Sequence, residues 1–147
     1  MAHIKPDNYN RFLKKYSDLK GIDLLIADLN GVLRGKRIQT SALEKVFQEG
    51  LLLPASVFAG DITGATVEET GLGIAQGDSD RVCRPIPGTL SKSPWYKKSM
   101  AQVLMTMHES DGNPFFADPR QVLTRIINQF QESEFTAVMA VKLEFYL

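Results

Sequence analysis

The sequence predicts an α+β fold, a small roll in which one helix lies across a mixed sheet, followed by a helix and one further strand. Three observations carry this reading. Residues 22–29 and 32–38 are strand-like runs joined by Asn30-Gly31, a strong short hairpin signal. Residues 41–50 then switch to helical spacing, and two more β-like segments, 80–86 and 101–108, follow after a long glycine-rich interruption. Hairpin, helix and later strands in that order suit a single helix packed on a mixed sheet.

Each element has its own local warrant. Tyr9, Phe12, Leu13, Tyr16 and Leu19 recur at 3–4 spacing after Pro6-Asp7, which predicts a helix over 7–20 that stops at Gly21. The strand over 22–29 is apolar except for Asp23 and Asp28, and 32–38 returns antiparallel to it. Ser41-Ala42-Leu43-Glu44 has the form of a capping box, with Leu43, Val46 and Phe47 as the apolar stripe and Gly50 as the stop. A short apolar segment, Ser56-Val57-Phe58, leads into residues 60–77, where five glycines predict a long loop or a weak hairpin. Asp111-Gly112 marks a turn after 101–108. Asp118-Pro119-Arg120-Gln121 then supplies an N-cap, a first-position proline and a glutamine three residues on, opening a helix over 119–133. Residues 136–147 alternate, with Lys142, Glu144 and Tyr146 on one face and Val141, Leu143, Phe145 and Leu147 on the other. That strand has no following partner in the chain and reads as an αβ step toward a separate sheet, cut off after one strand.

The composition excludes several classes of function. The 147 residues are 44% hydrophobic and 23% charged, an ordinary globular balance. Lys plus Arg equals Asp plus Glu at 17 each, which gives no electrostatic case for nucleic acid or an anionic membrane. Cys83 stands alone, so no disulfide forms within the chain. Residues 1–10 lack an apolar signal core, and no stretch approaches the ~20 apolar residues of a membrane span, so a cytoplasmic location is expected.

Dinucleotide, Walker and nucleophile-elbow motifs are all missing. His3 and His108 are the available imidazoles, and nothing favours a Cys83–His108 dyad. The acids are more informative. Asp61 lies in Phe58-Ala59-Gly60-Asp61-Ile62-Thr63-Gly64, where it either closes an Asx-turn on its own backbone or faces a ligand that the glycines let approach. Asp78 and Asp80 flank Ser79 at another turn. Glu144 on its strand needs a partner, which is either Lys142 two residues away or a metal ion.

Taken in order, these segments resemble the start of a glutamine synthetase. The resemblance is carried by residues 23–31 with Arg34-Gly35-Lys36, by 58–64, by Ser79-Asp80, by Pro114-Phe115-Phe116-Ala117-Asp118-Pro119-Arg120, and by Leu143-Glu144-Phe145-Tyr146. Residues 54–58 and 66–73 resemble the branch that γ-glutamylates amines. The resemblance implies an N-terminal helix (1–21), a β-grasp domain (22–112) and the start of a catalytic domain (113–147). It implies an ATP-dependent ligase that joins the glutamate γ-carboxyl to ammonia or an amine through γ-glutamyl phosphate, with Mg or Mn as the metal. Each site is then built between the β-grasp domain of one subunit and the catalytic domain of its neighbour. By the same resemblance Asp61 and Asp80 lie on the ammonium side, and Glu144 is one of two metal carboxylates on the first catalytic strand. The family pattern there is Glu-x-Glu-Phe, and Lys142 stands where the first Glu belongs. An ammonium has no lone pair for a cation and repels it.

Two readings follow. In one, the chain contributes one wall of an inter-subunit ligase site and is inactive alone, with no cofactor held by these residues by themselves. In the other, it is a standalone β-grasp interaction module without catalysis. Both expect self-association or a partner surface over the exposed apolar residues of 136–147.

Overall fold

In the computed structural model, which describes residues 7–146, the chain forms three α-helices and six strands. In order these are α1 (Asp7–Lys15), β1 (Ile22–Ala27), β2 (Leu33–Ile38), α2 (Leu43–Glu49) and β3 (Leu51–Pro54). There follow β4 (Asp80–Pro85), β5 (Ser91–Lys92), β6 (Ala101–His108) and α3 (Pro119–Glu132). The sheet runs β2-β1-β6-β4-β3, and β5 pairs with the start of β6. β1 and β6 are parallel at its centre, and the other pairs are antiparallel. The mixed sheet with a helix across it is the α+β roll the sequence predicts.

Alternation decides which side of the sheet is wet. Ile22, Leu24 and Ile26 of β1 and Ala101, Val103, Met105 and Met107 of β6 point to one face. There they meet Leu43 and Val46 of α2, with Leu53, Phe58, Cys83 and Phe115 completing the core. α1 lies beside α2 through Tyr9, whose ring is 5.0 Å from that of Phe47 and whose hydroxyl donates to Glu44 Oε1. The opposite face carries Asp23, Gln102, Leu104, Thr106, His108 and Arg84, in register across β1, β6 and β4.

Several elements differ from the sequence expectation. α1 ends at Lys15 rather than Lys20, because residues 16–18 turn to deliver Leu19 into the core. The Lys20 amide then donates to the Ser99 carbonyl. The hairpin loop has three residues, Leu29-Asn30-Gly31, with Asp28 and Val32 paired around it and Gly31 at φ 75°. A type I turn closed by a left-handed glycine places Asp23 opposite Arg37. Ser41 caps nothing. A 3₁₀ turn over Thr40–Ala42 precedes α2, and Glu44 bonds Tyr9 and Gln48 instead of a backbone amide. β3, absent from the sequence reading, follows directly from Gly50, while Ala55–Phe58 is a 3₁₀ turn.

Beyond α3 the expected strand over 136–147 is not formed in its described residues. An extended segment becomes a strand only when a neighbour satisfies its N–H and C=O groups, and no described residue pairs with it. Both of its faces are open: Val141 is 86%, Leu143 80% and Phe145 76% exposed. α3 itself buries no residue completely, although its start is anchored firmly to β6. No described helix is long and apolar enough to cross a membrane.

Candidate functional site

The densest polar construction lies where the β1–β2 hairpin meets the glycine loop after Phe58. Asp28 leaves β1 with a fully buried side chain. Its Oδ1 accepts from the amides of Asn30 and Val32, which closes the turn, and its Oδ2 accepts from Arg34 Nε at 2.7 Å. Burial works to raise the Asp28 pKa, but Arg34 and the two amides outweigh it and hold the carboxyl below its usual value. Across the gap, Asn30 Nδ2 donates to the Gly60 carbonyl at 2.9 Å and Arg34 Nη2 to the Asp61 carbonyl at 3.2 Å. A cleft of about 310 Å³ opens beside this junction, lined among others by Arg34, Ser56, Val57, Gly60 and Thr66.

Asp61 closes the turn that its glycine context suggested. Its Oδ1 accepts from the Thr63 hydroxyl at 2.7 Å, the Thr63 amide at 2.8 Å and the Ala65 amide at 3.0 Å. The Thr63 hydroxyl, followed by the neighbouring amides, draws the carboxyl below its usual pKa, so it is ionised at neutral pH. Its Oδ2 takes no bond from the described residues. The turn therefore occupies one carboxylate oxygen and presents the other.

Asp80 is the first residue of β4, exposed, with its backbone opposite Pro54. No hydrogen bond among the described residues joins it to Asp61. The neighbouring Asp78 adopts φ 40° and accepts from the Ser56 amide and hydroxyl, which ties the end of the glycine loop to the 3₁₀ turn.

Glu144 lies far from these acids in sequence and is open to solvent, with Lys142 Nζ 2.6 Å from its Oε1. Of the two partners left open by its spacing, the lysine is the one it meets. A divalent ion does not fit this pair as it stands, since one carboxylate beside an ammonium offers neither the ligand number nor the charge. Among the described residues no three His, Cys, Asp or Glu side chains converge.

The Cys83–His108 pairing is ruled out by register. Cys83 stands opposite Met107 and faces the core, whereas His108 stands opposite Val82 on the other face. Burial pushes the Cys83 thiol up to about 12, reinforced by Asp118 and Asp80. Burial also lowers the His108 pKa. His3 lies outside the described residues.

Two further carboxylates matter more than sequence reasoning gave them. Asp23 holds Arg37 through Nε at 2.7 Å and Nη2 at 3.0 Å, and accepts from the Tyr96 hydroxyl at 2.9 Å. The arginine, with help from the tyrosine, lowers its pKa against the effect of burial. Asp118 is buried and joins α3 to β6, accepting from the Thr106 hydroxyl, the Met107 amide and the Arg120 amide. The Asp23–Arg37 match was legible only with the correct hairpin register; that of Asp118 with β6 had no local signal.

No family model matches the chain. Among curated proteins it is 46% identical over 137 residues to γ-glutamylputrescine synthetase PuuA of Escherichia coli (strain K12), covering 93% of this chain and 29% of that one. It is 31% identical over 130 residues to a glutamine synthetase of Pyrococcus abyssi, covering 87% of this chain and 26% of the relative. A glutamine synthetase of Mycobacterium tuberculosis is 30% identical over 135 residues, 88% of this chain and 27% of the relative. The chain thus spans less than a third of the length of these relatives. In solved structures the fold matches a glutamine synthase homolog with a TM-score of 0.68 at 18% identity, over 78% of this chain and 27% of that one. It matches a GmaS–ADP complex with a TM-score of 0.66 at 20% identity, over 86% of this chain and 26% of that one. The roll, the hairpin and the acid-bearing glycine loop accordingly belong to an N-terminal region of the glutamine synthetase family, close to its γ-glutamylputrescine synthetase branch.

Proposed function

We infer that this chain supplies the amine-side wall of an ATP-dependent ligase site, in which the γ-carboxyl of glutamate is activated as γ-glutamyl phosphate and attacked by ammonia or an amine. The observation that carries the reading is the Asp61 carboxylate, ionised, fixed through Oδ1 and open at Oδ2, in a chain 46% identical over 137 residues to a γ-glutamylputrescine synthetase. A fixed anion with one free oxygen attracts an ammonium or alkylammonium group and orients it. A carboxyl held at low pKa is a weak base, so Asp61 serves as a cation anchor first and takes a proton only as the amine forms its new bond. Asp80, exposed at the start of β4, adds negative charge on the amine side.

The opposite wall comes from a neighbouring subunit's catalytic domain, and residues 113–147 are the beginning of such a domain after the β-grasp unit of 22–112. ATP and Mg or Mn belong to the assembled site, where Glu144 would be a metal carboxylate. These 147 residues alone do not turn over substrate. One observation favours a second reading, a non-catalytic interaction module: Lys142 neutralises Glu144. Self-association is proposed in either case, as is a cytoplasmic setting.

The test is a chimera in which the matching region of the E. coli γ-glutamylputrescine synthetase is replaced by this chain, with its assembly checked by sedimentation. With Lys142→Glu the assembled chimera is expected to form metal-dependent γ-glutamyl product, and Asp61→Asn to reduce kcat/KM for the amine at least tenfold. Assembled Lys142→Glu chimera without product would overturn the ligase reading. Full activity in Asp61→Asn would overturn the role of that residue. Activity equal with Lys142 or Glu would remove the case for the module.

A further inference from the structure

We propose that Arg34, assisted by Asn30, is a positioning residue that locks the Asp61 loop to the hairpin and so fixes where the carboxylate stands. Four independent features converge on this contact. Arg34 is itself immobilised by the buried Asp28, through a 2.7 Å bond from Nε. Its Nη2 reaches the Asp61 carbonyl, while Asn30 Nδ2 takes the carbonyl of the preceding residue, Gly60. Two successive carbonyls of the loop are therefore held by two side chains of one turn.

The glycines of the loop make room for that guanidinium. A Cβ on Gly60 would lie 3.2 Å from Arg34 Nη2, and one on Gly64, which has φ +91°, would lie 3.3 Å from Arg34 Nη1. Both positions face the same fork, Gly60 at Nη2 and Gly64 at Nη1. The loop closes on itself around it, through Asp61 N–H to the Ala65 carbonyl, Gly64 N–H to the Asp61 carbonyl and a bridge between Gly60 and Thr66. A lysine at 34 would keep the charge beside Asp28 but lacks the planar fork that serves two acceptors at once. The arrangement thus assigns separate tasks to two nitrogens of one side chain: Nε holds the hairpin and Nη2 holds the loop.

The lock stands on geometry alone, and its importance for an incoming amine rests on the function proposed above. Amide exchange read by NMR on the 147-residue chain tests it without any substrate, so failure of the lock and failure of the ligase reading are distinguishable. The amides of Asp61, Gly64, Ala65 and Val67 report the loop, and those of β1 and β6 report global opening. Arg34→Lys is expected to raise exchange at the loop amides about tenfold while leaving β1 and β6 amides near their wild-type rates. Gly60→Ala should reproduce that pattern by displacing the guanidinium, and Asn30→Ala should give a smaller rise of about threefold. Loop rates in Arg34→Lys equal to wild type, or rising only in step with β1 and β6, would overturn the proposal. If Arg34→Lys does not fold, Gly60→Ala and Asn30→Ala decide it by the same two readouts.

Discussion

Replacing Asp118 tests whether the contact between α3 and the roll is as polar and as buried as it stands here. Its carboxylate accepts from Thr106 Oγ1 at 2.7 Å, Met107 N–H at 2.7 Å and Arg120 N–H at 2.8 Å. In Asp118→Ala the Thr106 hydroxyl keeps a partner, since Gln121 Nε2 donates to it at 2.7 Å. The Met107 amide does not, and a buried orphan N–H costs about 1–3 kcal/mol. Loss of the helix N-cap adds about 1 kcal/mol. The sum is about 3 kcal/mol, which for a chain this long corresponds to a fall in Tm of roughly 6–12 °C. Asp118→Asn should cost less, about 2 kcal/mol, because one amide oxygen can serve Arg120 or Met107 but not both. Thr106→Val should cost about 1 kcal/mol, leaving both backbone donors satisfied. Urea unfolding followed by circular dichroism, with m unchanged, measures all three. An Asp118→Ala midpoint within about 1 kcal/mol of wild type would refute the reasoning.

Acid should destabilise the protein in two stages. His108 has a lowered folded pKa, so its contribution is lost first, as pH falls below the unfolded value of about 6.5. Asp23 and Asp28, also lowered, contribute stability that is complete above about pH 4 and is lost as pH falls through their folded values. In urea midpoints measured against pH, His108→Gln should flatten the upper stage and Asp28→Asn the lower; unchanged profiles would contradict both assignments. Cys83, with a thiol at about 12 and no exposure, should resist alkylation at pH 8 in the native protein and react on unfolding. Native labelling at the rate of a free thiol would show the core to be open there. Sensitive assays for ATP hydrolysis and γ-glutamyl transfer should find neither with the isolated chain, and metal-dependent product would count against the one-wall reading.

Most of the roll could be read from local signals. The Asn30-Gly31 turn, the stripe of Leu43 and Val46 and the cap at Asp118 each act within a few residues, so their effects survive in the sequence pattern. What escaped reading depends on neighbours distant in sequence. β3 is only four residues long and becomes a strand because β4 lies beside it, with Leu51 opposite Cys83. The 136–147 segment shows the reverse case. Its alternation of Val141, Lys142, Leu143, Glu144 and Phe145 is as regular as that of β6, yet it forms no ladder, because alternation selects faces and cannot supply a partner.

The same distinction explains the site. Asp61 was visible as an acid among glycines, and its Asx-turn was one of two readings its neighbours allowed. The structure makes these two readings compatible, because the turn uses Oδ1 and leaves Oδ2. What the sequence could not express is that the loop's position is set from thirty residues upstream, through Asn30 to Gly60 and Arg34 to Asp61. A carboxylate on a glycine loop would otherwise sample many positions, and an anchor for a small cation is useful only if it stands still relative to the bond being formed. Here rigidity enters from the hairpin, whose own turn is fixed by a buried, ionised Asp28. Substitutions at Asp28, Arg34 or Gly60 should therefore resemble substitutions of Asp61 itself in their effect on amine use, although none of the three is placed to touch the amine.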